Sequence, residues 1–531
     1  MIPRLHALRN PYIHRFRLAA MATSAYAGWT REQLLERVLE LERGTSLPGG
    51  SSKPTANKEE IQVPKPLKPF DFYSYPRRKI ALKFSYAGWD YGGLAYQPDD
   101  TPLPTVEGVL FDALSTAHLV DSNAGLEGCG WERCGRTDRG VSGARQIVSV
   151  WVRSALRKEE LAEADIRPGP VAFPPNSRRA AMDDDDDLPE RVDDEPVIVN
   201  GQDLWKPDTV EPQSRNEHDY VSILNRLLPE TIRVSAWSPV PSTFSARFSC
   251  NFRHYKYFFT PKGLDIVRMQ EAAGRLIGEH DFRNLCKLDP AKQITSFKRK
   301  VMSAHIERLN DNLHVFNLTG SAFLYHQVRH IMAILFLIGM GMESPSLVSN
   351  LLNVTSDSEV PRADDLPYEI VDRKPEYQMA DGLPLMLWDC GYPEGTFDWR
   401  TTGKPDAGPL ATGGTLYDQL DNILVRSNIY SALNEHFLLA AAQHHPPPPS
   451  IFPLSDPSQL AQRKGARDPI NVHLGGGTFK RVVKYTPVLK RNRLDTVEVA
   501  NERWRLGKGA RKSEKKVTKE GPEPVTNPAD A

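Results

Sequence analysis

One segment, GSAFLYHQVRHIMAILFLIG at 320–339, constrains the fold more than any other. Residues 331–340 form the longest apolar run of the chain, ten positions with no charged side chain. A membrane-spanning helix needs about 20 such residues, so the run is too short to cross a bilayer. A helix that is apolar on all sides has to be covered on all sides. The pattern therefore predicts a helix over 323–340 sealed inside a protein core. Arg329 lies within it. A charge buried without a partner is strongly destabilising, so Arg329 requires an anion, either a site carboxylate or a phosphate.

Metal ligation explains this segment poorly. His326 and His330 stand four apart, but no acid accompanies them as in the HExxH pattern. The five cysteines include no CxxC pair, so neither a zinc site nor a disulfide scaffold is expected. The chain has no P-loop and no GxGxxG after a strand, and no cofactor is expected. With no membrane span, the chain is expected to be soluble and intracellular.

The ordered core is expected at 77–154 and 218–395. Ile80, Leu82, Phe84 and Tyr86 alternate with Ala81, Lys83 and Ser85, which is strand periodicity. A helix is predicted near 105–119 and strands at 146–152, 232–239, 252–260, 313–319 and 385–389. Further helices are predicted at 220–228 and 265–278. This mixture gives an α/β (α+β) class. Residues 1–28 carry arginines and no acid, as targeting segments do. A short helix is expected over 29–43 and a linker over 44–76. Residues 155–217 hold the five-aspartate run 183–187 and are expected to be a disordered acidic insert. Residues 396–531 are expected to be weakly structured, with a basic tail. The overall balance of 67 basic and 67 acidic residues is thus a cancellation between segments.

Two motifs join the buried arginine as candidates for chemistry. In CGRTDRGVSG at 134–143, two arginines flank Asp138 inside a glycine-bracketed loop. Neighbouring guanidinium groups favour the ionised carboxylate, which can then act as a nucleophile. An ordinary turn with a local Arg–Asp pair would use the same residues. In RHYKYFF at 253–259, Tyr255, Tyr257 and Phe259 share one strand face, with Arg253 and Lys256 among them. Aromatics interleaved with cations suit stacked bases and phosphates, and core packing suits the same aromatics. The basic residues from Lys480 to Lys519 fit phosphate contact or nuclear import as well as a solvated tail.

These three segments, in this order, resemble the TruA family of tRNA pseudouridine synthases. GRTDRGVSG is similar to the family's nucleophile motif, RHYKYFF to its strand with a stacking tyrosine, and the 320–339 segment to its late buried helix. GEHDFRNLCKLD, FLIGMGME and PLMLWDCGY look like the eukaryotic members that modify tRNA positions 38 and 39. The resemblance implies two similar halves with antiparallel sheets meeting under a central basic cleft, helices outside. It implies Asp138 as nucleophile, Arg136 positioning the target nucleotide, Tyr255 stacking on the uracil, and Arg329 pairing with Asp138. It further implies tRNA as partner, a homodimer, no metal or cofactor, and a nuclear and cytoplasmic location, or a mitochondrial one through residues 1–28. Rival readings are a synthase acting on other tRNA or small-RNA uridines, an RNA-binding protein without activity, and a metal hydrolase built on His326, His330 and the aspartate run.

Overall fold

The computed structural model describes residues 70–98, 101–157, 160–161, 217–358, 360, 368–401, 415–448, 450–456, 459, 469–509 and 511. The expected segments 1–28 and 29–43, nearly all of the linker and of the acidic insert, and the last twenty residues lie outside these.

One large open sheet carries the molecule. Its first half holds β1 (Arg77–Tyr86), the two-residue β2 (Glu132–Arg133), β3 (Ser142–Arg153) and β4 (Ile232–Pro239). Its second half holds β5 (Phe252–Phe259), β6 (Gly278–Asp281), β7 (Lys298–Arg308), β8 (His314–Gly320) and β9 (Leu385–Gly391). The order across the sheet is β4-β1-β3-β9-β5-β8-β7-β6, with β2 added beside β3. Every pairing is antiparallel except that of β3 with β9, where Ser142 faces Met386 and Gly143 faces Leu387. The two halves meet at this short parallel seam.

Helices cover the sheet as the apolar patterns require. In the first half, α1 (Val106–Thr116) is capped by Thr105, and α2 (Tyr220–Leu227) by Asp219. Both caps accept a main-chain N–H of the first turn, which satisfies an otherwise orphaned donor. With Ile80, Leu82, Phe84, Val148 and Val150 they enclose one apolar core. In the second half, α3 (Ile266–Gly274), α4 (Gln327–Gly339) and α5 (Ser346–Leu352) enclose a second core with Tyr257, Phe259, Phe316 and Leu318. Twelve of the thirteen residues of α4 are buried, as a helix apolar all round demands.

Three differences from the sequence expectation have physical causes. Helix α4 starts at Gln327 rather than 323, because His326 sits in the left-handed region at φ 60° and breaks the helical path before it. The long strand β7 was not anticipated: its alternation is carried mostly by charged and small residues, and a register shift at 301–303 blurs the period. The region beyond 396 is not uniformly weak. It contains α6 (Leu416–Ala442), the hairpin of β10 (Ile470–Gly475) and β11 (Thr478–Val482), and α7 (Val497–Trp504). The glycines at 475–477 make the hairpin turn, all three at positive φ, which glycine adopts without strain.

Candidate functional site

The parallel seam explains why the site exists. Because β3 and β9 run in the same direction, the segments entering them lie side by side. One entrance is the Asp138 loop; the other is Ala380–Asp381–Gly382.

The Asp138 loop is held by bonds to its main chain on both sides of the carboxylate. Cys134 N–H donates to Ile147 O (2.9 Å), Gln146 Nε2 to Gly135 O (2.8 Å), and Arg253 Nη2 to Cys134 O (2.9 Å). The hydroxyls of Thr137 and Tyr86 lie 2.7 Å apart, and Leu94 N–H donates to Thr137 O. The chain turns back at once, with Val141 N–H donating to Asp138 O (3.1 Å) and Gly140 at φ 83°. Gly93 packs beneath: a Cβ there would stand 3.3 Å from Thr137 O and 3.5 Å from the Asp138 carbonyl carbon. The loop is therefore rigid, with the Asp138 side chain 25% exposed at its tip.

Helix α4 delivers the opposing cation. Arg329 Nη1 lies 3.4 Å from Asp138 Oδ2. Arg329 is oriented by a reciprocal clamp, Nε donating to Ala380 O (2.9 Å) while Ala380 N–H donates to Arg329 O (3.0 Å). The anion that Arg329 required is thus Asp138. Gly382 fits between the two entrances, where a Cβ would stand 3.1 Å from Arg139 O and 3.5 Å from the Arg329 guanidinium carbon. His326, at the mouth of α4, places Nε2 3.2 Å from the same Oδ2. A carboxylate only accepts, so Nε2 carries the hydrogen. Its Nδ1 is buried and makes no hydrogen bond.

Tyr255 lies on β5 between Leu318 of β8 and Leu387 of β9, 9% exposed, its ring edge-on to Phe323 at 5.1 Å. Burial pushes its phenol well up, with Cys390 and Tyr86 among the neighbours that act on it. Tyr86 is the hydroxyl partner of Thr137 on the Asp138 loop. The other aromatics on the same strand face are core: Tyr257 is fully buried and donates to Asp381 O (2.9 Å), and Phe259 packs on Phe336. Arg253, which looked available for phosphate, is 6% exposed and donates to the carbonyls of Cys134, Cys250, Arg247 and Ser321. It braces the loop. Arg136 stands exposed on the Asp138 loop, close enough to Tyr325 for its charge to act on that phenol.

His326, just before α4, and His330 within it do not converge. His326 turns to Asp138, whereas His330 is buried against Lys374 and the Tyr377 ring. Among the described residues no group of three or more His, Cys, Asp or Glu could hold a metal ion.

A family model for tRNA pseudouridine synthase matches residues 272–393. The tRNA pseudouridine(38/39) synthase of Saccharomyces cerevisiae is 35% identical over 492 residues, which span 91% of this chain and 92% of that protein. The chain belongs to the tRNA pseudouridine synthase family. The tRNA pseudouridine(38/39) synthase of Homo sapiens is 36% identical over 379 residues, 68% of this chain and 66% of that protein. The tRNA pseudouridine synthase A of Methanothrix thermoacetophila is 29% identical over 324 residues, 85% of its length. The protein is accordingly an isomerase acting on tRNA, and its mixed fold and family are those the sequence motifs implied.

Beside the nucleophile candidate the enzyme presents a cationic, aromatic rim that sequence reasoning missed. The Tyr325 ring lies 3.8 Å from that of His326, and Lys287 and Lys292 sit over it at 4.9 and 4.5 Å. Burial and then the Asp138 charge push the Tyr325 phenol up. A half-buried ring flanked by lysines suits an RNA base and its phosphates. Tyr325 and His326 stand within the 320–339 segment, where the apolar run masks them and the spacing of His326 from His330 reads only as a metal-ligand pattern.

Proposed function

We propose that the enzyme converts uridine to pseudouridine at positions 38 and 39 of the tRNA anticodon stem-loop, with Asp138 as nucleophile. The observation that supports this best is the convergence of Arg329 Nη1 and His326 Nε2 on one oxygen of Asp138. It leaves the other carboxylate oxygen as the one to attack. The position assignment draws on the relatives named for 38/39.

The reaction exchanges a C–N glycosidic bond for a C–C bond at the same ribose, so it consumes no outside group. The uracil leaves the helical stack, at a cost of about a few kcal/mol. Stacking on Tyr255 offsets this by about 1–3 kcal/mol, and Arg136 positions the nucleotide. Asp138 attacks at ribose C1′ or at the base. The base is released, turns and rejoins through C5, and the C5 proton is lost. The Tyr255 phenol, pushed up by burial, stays protonated at neutral pH and enters as a hydrogen donor. Arg329 and His326 hold the carboxylate in aim throughout.

The enzyme further acts as a homodimer in this reading. Helix α6 buries none of its residues and exposes Tyr417, Leu424, Ile429, Tyr430, Phe437 and Leu438 by half or more. An apolar surface of this extent marks an interaction site. Light scattering should give twice the chain mass, and Leu424→Glu with Phe437→Glu should halve it. A wild-type monomer would remove this part.

The function is tested by incubating purified enzyme with unmodified tRNA transcripts carrying uridine at 38 or 39, then mapping pseudouridine with carbodiimide. New stops at those positions are expected. Modification only elsewhere would favour another uridine, and no product would refute the activity.

A further inference from the structure

The hairpin β10–β11 and the segment 484–492, both outside the stretch matched by the family model, wall a cavity of about 640 Å³. Helix α4 supplies Ala333 and Leu337, while Lys480, Lys484, Lys490 and Arg491 line the opening. Strand alternation puts 480 and 482 on one side, and Lys480 faces the buried Val472 across the ladder.

The acids nearby are largely engaged. Glu343 accepts from the Tyr485 hydroxyl (2.6 Å) and from Val488 N–H (2.7 Å). Glu369 and Asp372 are taken by Arg493. Glu376 is, among the described residues, the single carboxylate residue lining the cavity, against four cations. Among the described residues, Lys480, Lys484 and Lys490 pair with no carboxylate. The cationic opening therefore holds surplus positive charge.

This wall is tied to the catalytic seam. Asp381 N–H donates to Leu474 O (2.7 Å), and the Tyr257 hydroxyl lies within reach of both Asp381 O and Leu474 O. Gly475 approaches so closely that a Cβ there would collide with the Tyr257 hydroxyl oxygen. The end of β10 thus leans on the segment that clamps Arg329. Clustered lysines bind phosphate as point charges and release counterions from a nucleic acid.

We propose that this cationic cavity is a second RNA-contact site, which holds phosphates of the tRNA backbone away from the reacting uridine. It rests on the function proposed above. Three proteins test it: wild type, the triple variant Lys480→Ala/Lys484→Ala/Lys490→Ala, and the triple variant with Arg at the same positions. An unmodified tRNA transcript is titrated at several salt concentrations, and pseudouridine formation is followed under steady state. The alanine variant should bind roughly tenfold more weakly, with a log Kd against log salt slope shallower by about 2 to 3. Its fall in kcat/KM should come through KM. The arginine variant should behave as wild type. Unchanged affinity and slope in the alanine variant would overturn the proposal, as would an arginine variant as impaired as the alanine one, because that pattern belongs to a packing role. Wild-type enzyme that binds tRNA but forms no pseudouridine would instead overturn the function and leave the binding comparison readable.

Discussion

The two entrances to the seam are built in opposite ways. Asp138 comes from a loop whose shape is set by hydrogen bonds to Cys134, Gly135 and Thr137 and by glycines at 93 and 140. Arg329 comes from a helix fixed by packing, with Ile331, Met332, Ile334 and Leu335 at 1% exposure or less. The acid's own side chain contributes little to the core, whereas the cation's support is the core. Changes to Asp138 should therefore separate activity from stability, and changes around Arg329 should couple them.

The largest expected effect breaks that comparison most sharply. Asp138→Ala should lower product formation on the order of 10⁴-fold or more, as loss of a nucleophile does, while the melting temperature moves by only a few degrees, because Arg329 keeps its bond to Ala380 O and its 13% exposed side chain stays in reach of water. A large fall in melting temperature would show that the carboxylate is structural. Arg329→Ala should lose roughly a hundredfold in rate and about 1–3 kcal/mol of stability, because the Ala380 carbonyl loses its donor. Arg329→Lys should recover most of the stability and little of the rate, since one ammonium cannot serve both Ala380 and Asp138. Equal stability for the two variants would contradict the clamp.

His326 lies between these extremes. His326→Ala should slow the reaction roughly tenfold to a hundredfold by loosening Asp138. His326→Gln, whose amide can still donate, should recover part of the loss; failure to do so would point to proton transfer by the ring. Gly382→Ala should cost about 1–2 kcal/mol and a modest part of the rate, because the added methyl meets Arg139 O at 3.1 Å.

A different kind of effect concerns acid stability of the second half. Burial and then the Lys374 charge push His330 down to about 2. The folded protein therefore holds His330 neutral, while the unfolded chain protonates it near the ordinary value of about 6.5. This contribution is full above that value and is lost as pH falls below it. Denaturant unfolding should show stability falling between about pH 6.5 and 4, and His330→Gln should flatten the dependence. An unchanged slope would place the acid sensitivity elsewhere.

Much of the fold was legible because its signals are local. The alternation in β1 and β5 and the apolar run of α4 each specify an element. The need of Arg329 for an anion was legible from burial alone, and the structure supplies Asp138. Other features depend on partners far along the chain. The fate of Arg253 rests on carbonyls at 134, 247 and 321, and His326 matters only because the seam brings Asp138 to it. The hairpin at 470–482 is hidden because the alternation of Ile470, Val472 and Leu474 lasts only three apolar positions before glycines that look like linker. No periodicity encodes these long-range meetings.

The most direct test of the central claim is pseudouridine mapping in tRNA from cells lacking this protein. The marks at 38 and 39 should vanish, return with the wild-type chain, and stay absent with Asp138→Asn at equal protein level. Marks that persist without the protein, or that Asp138→Asn restores, would contradict the account.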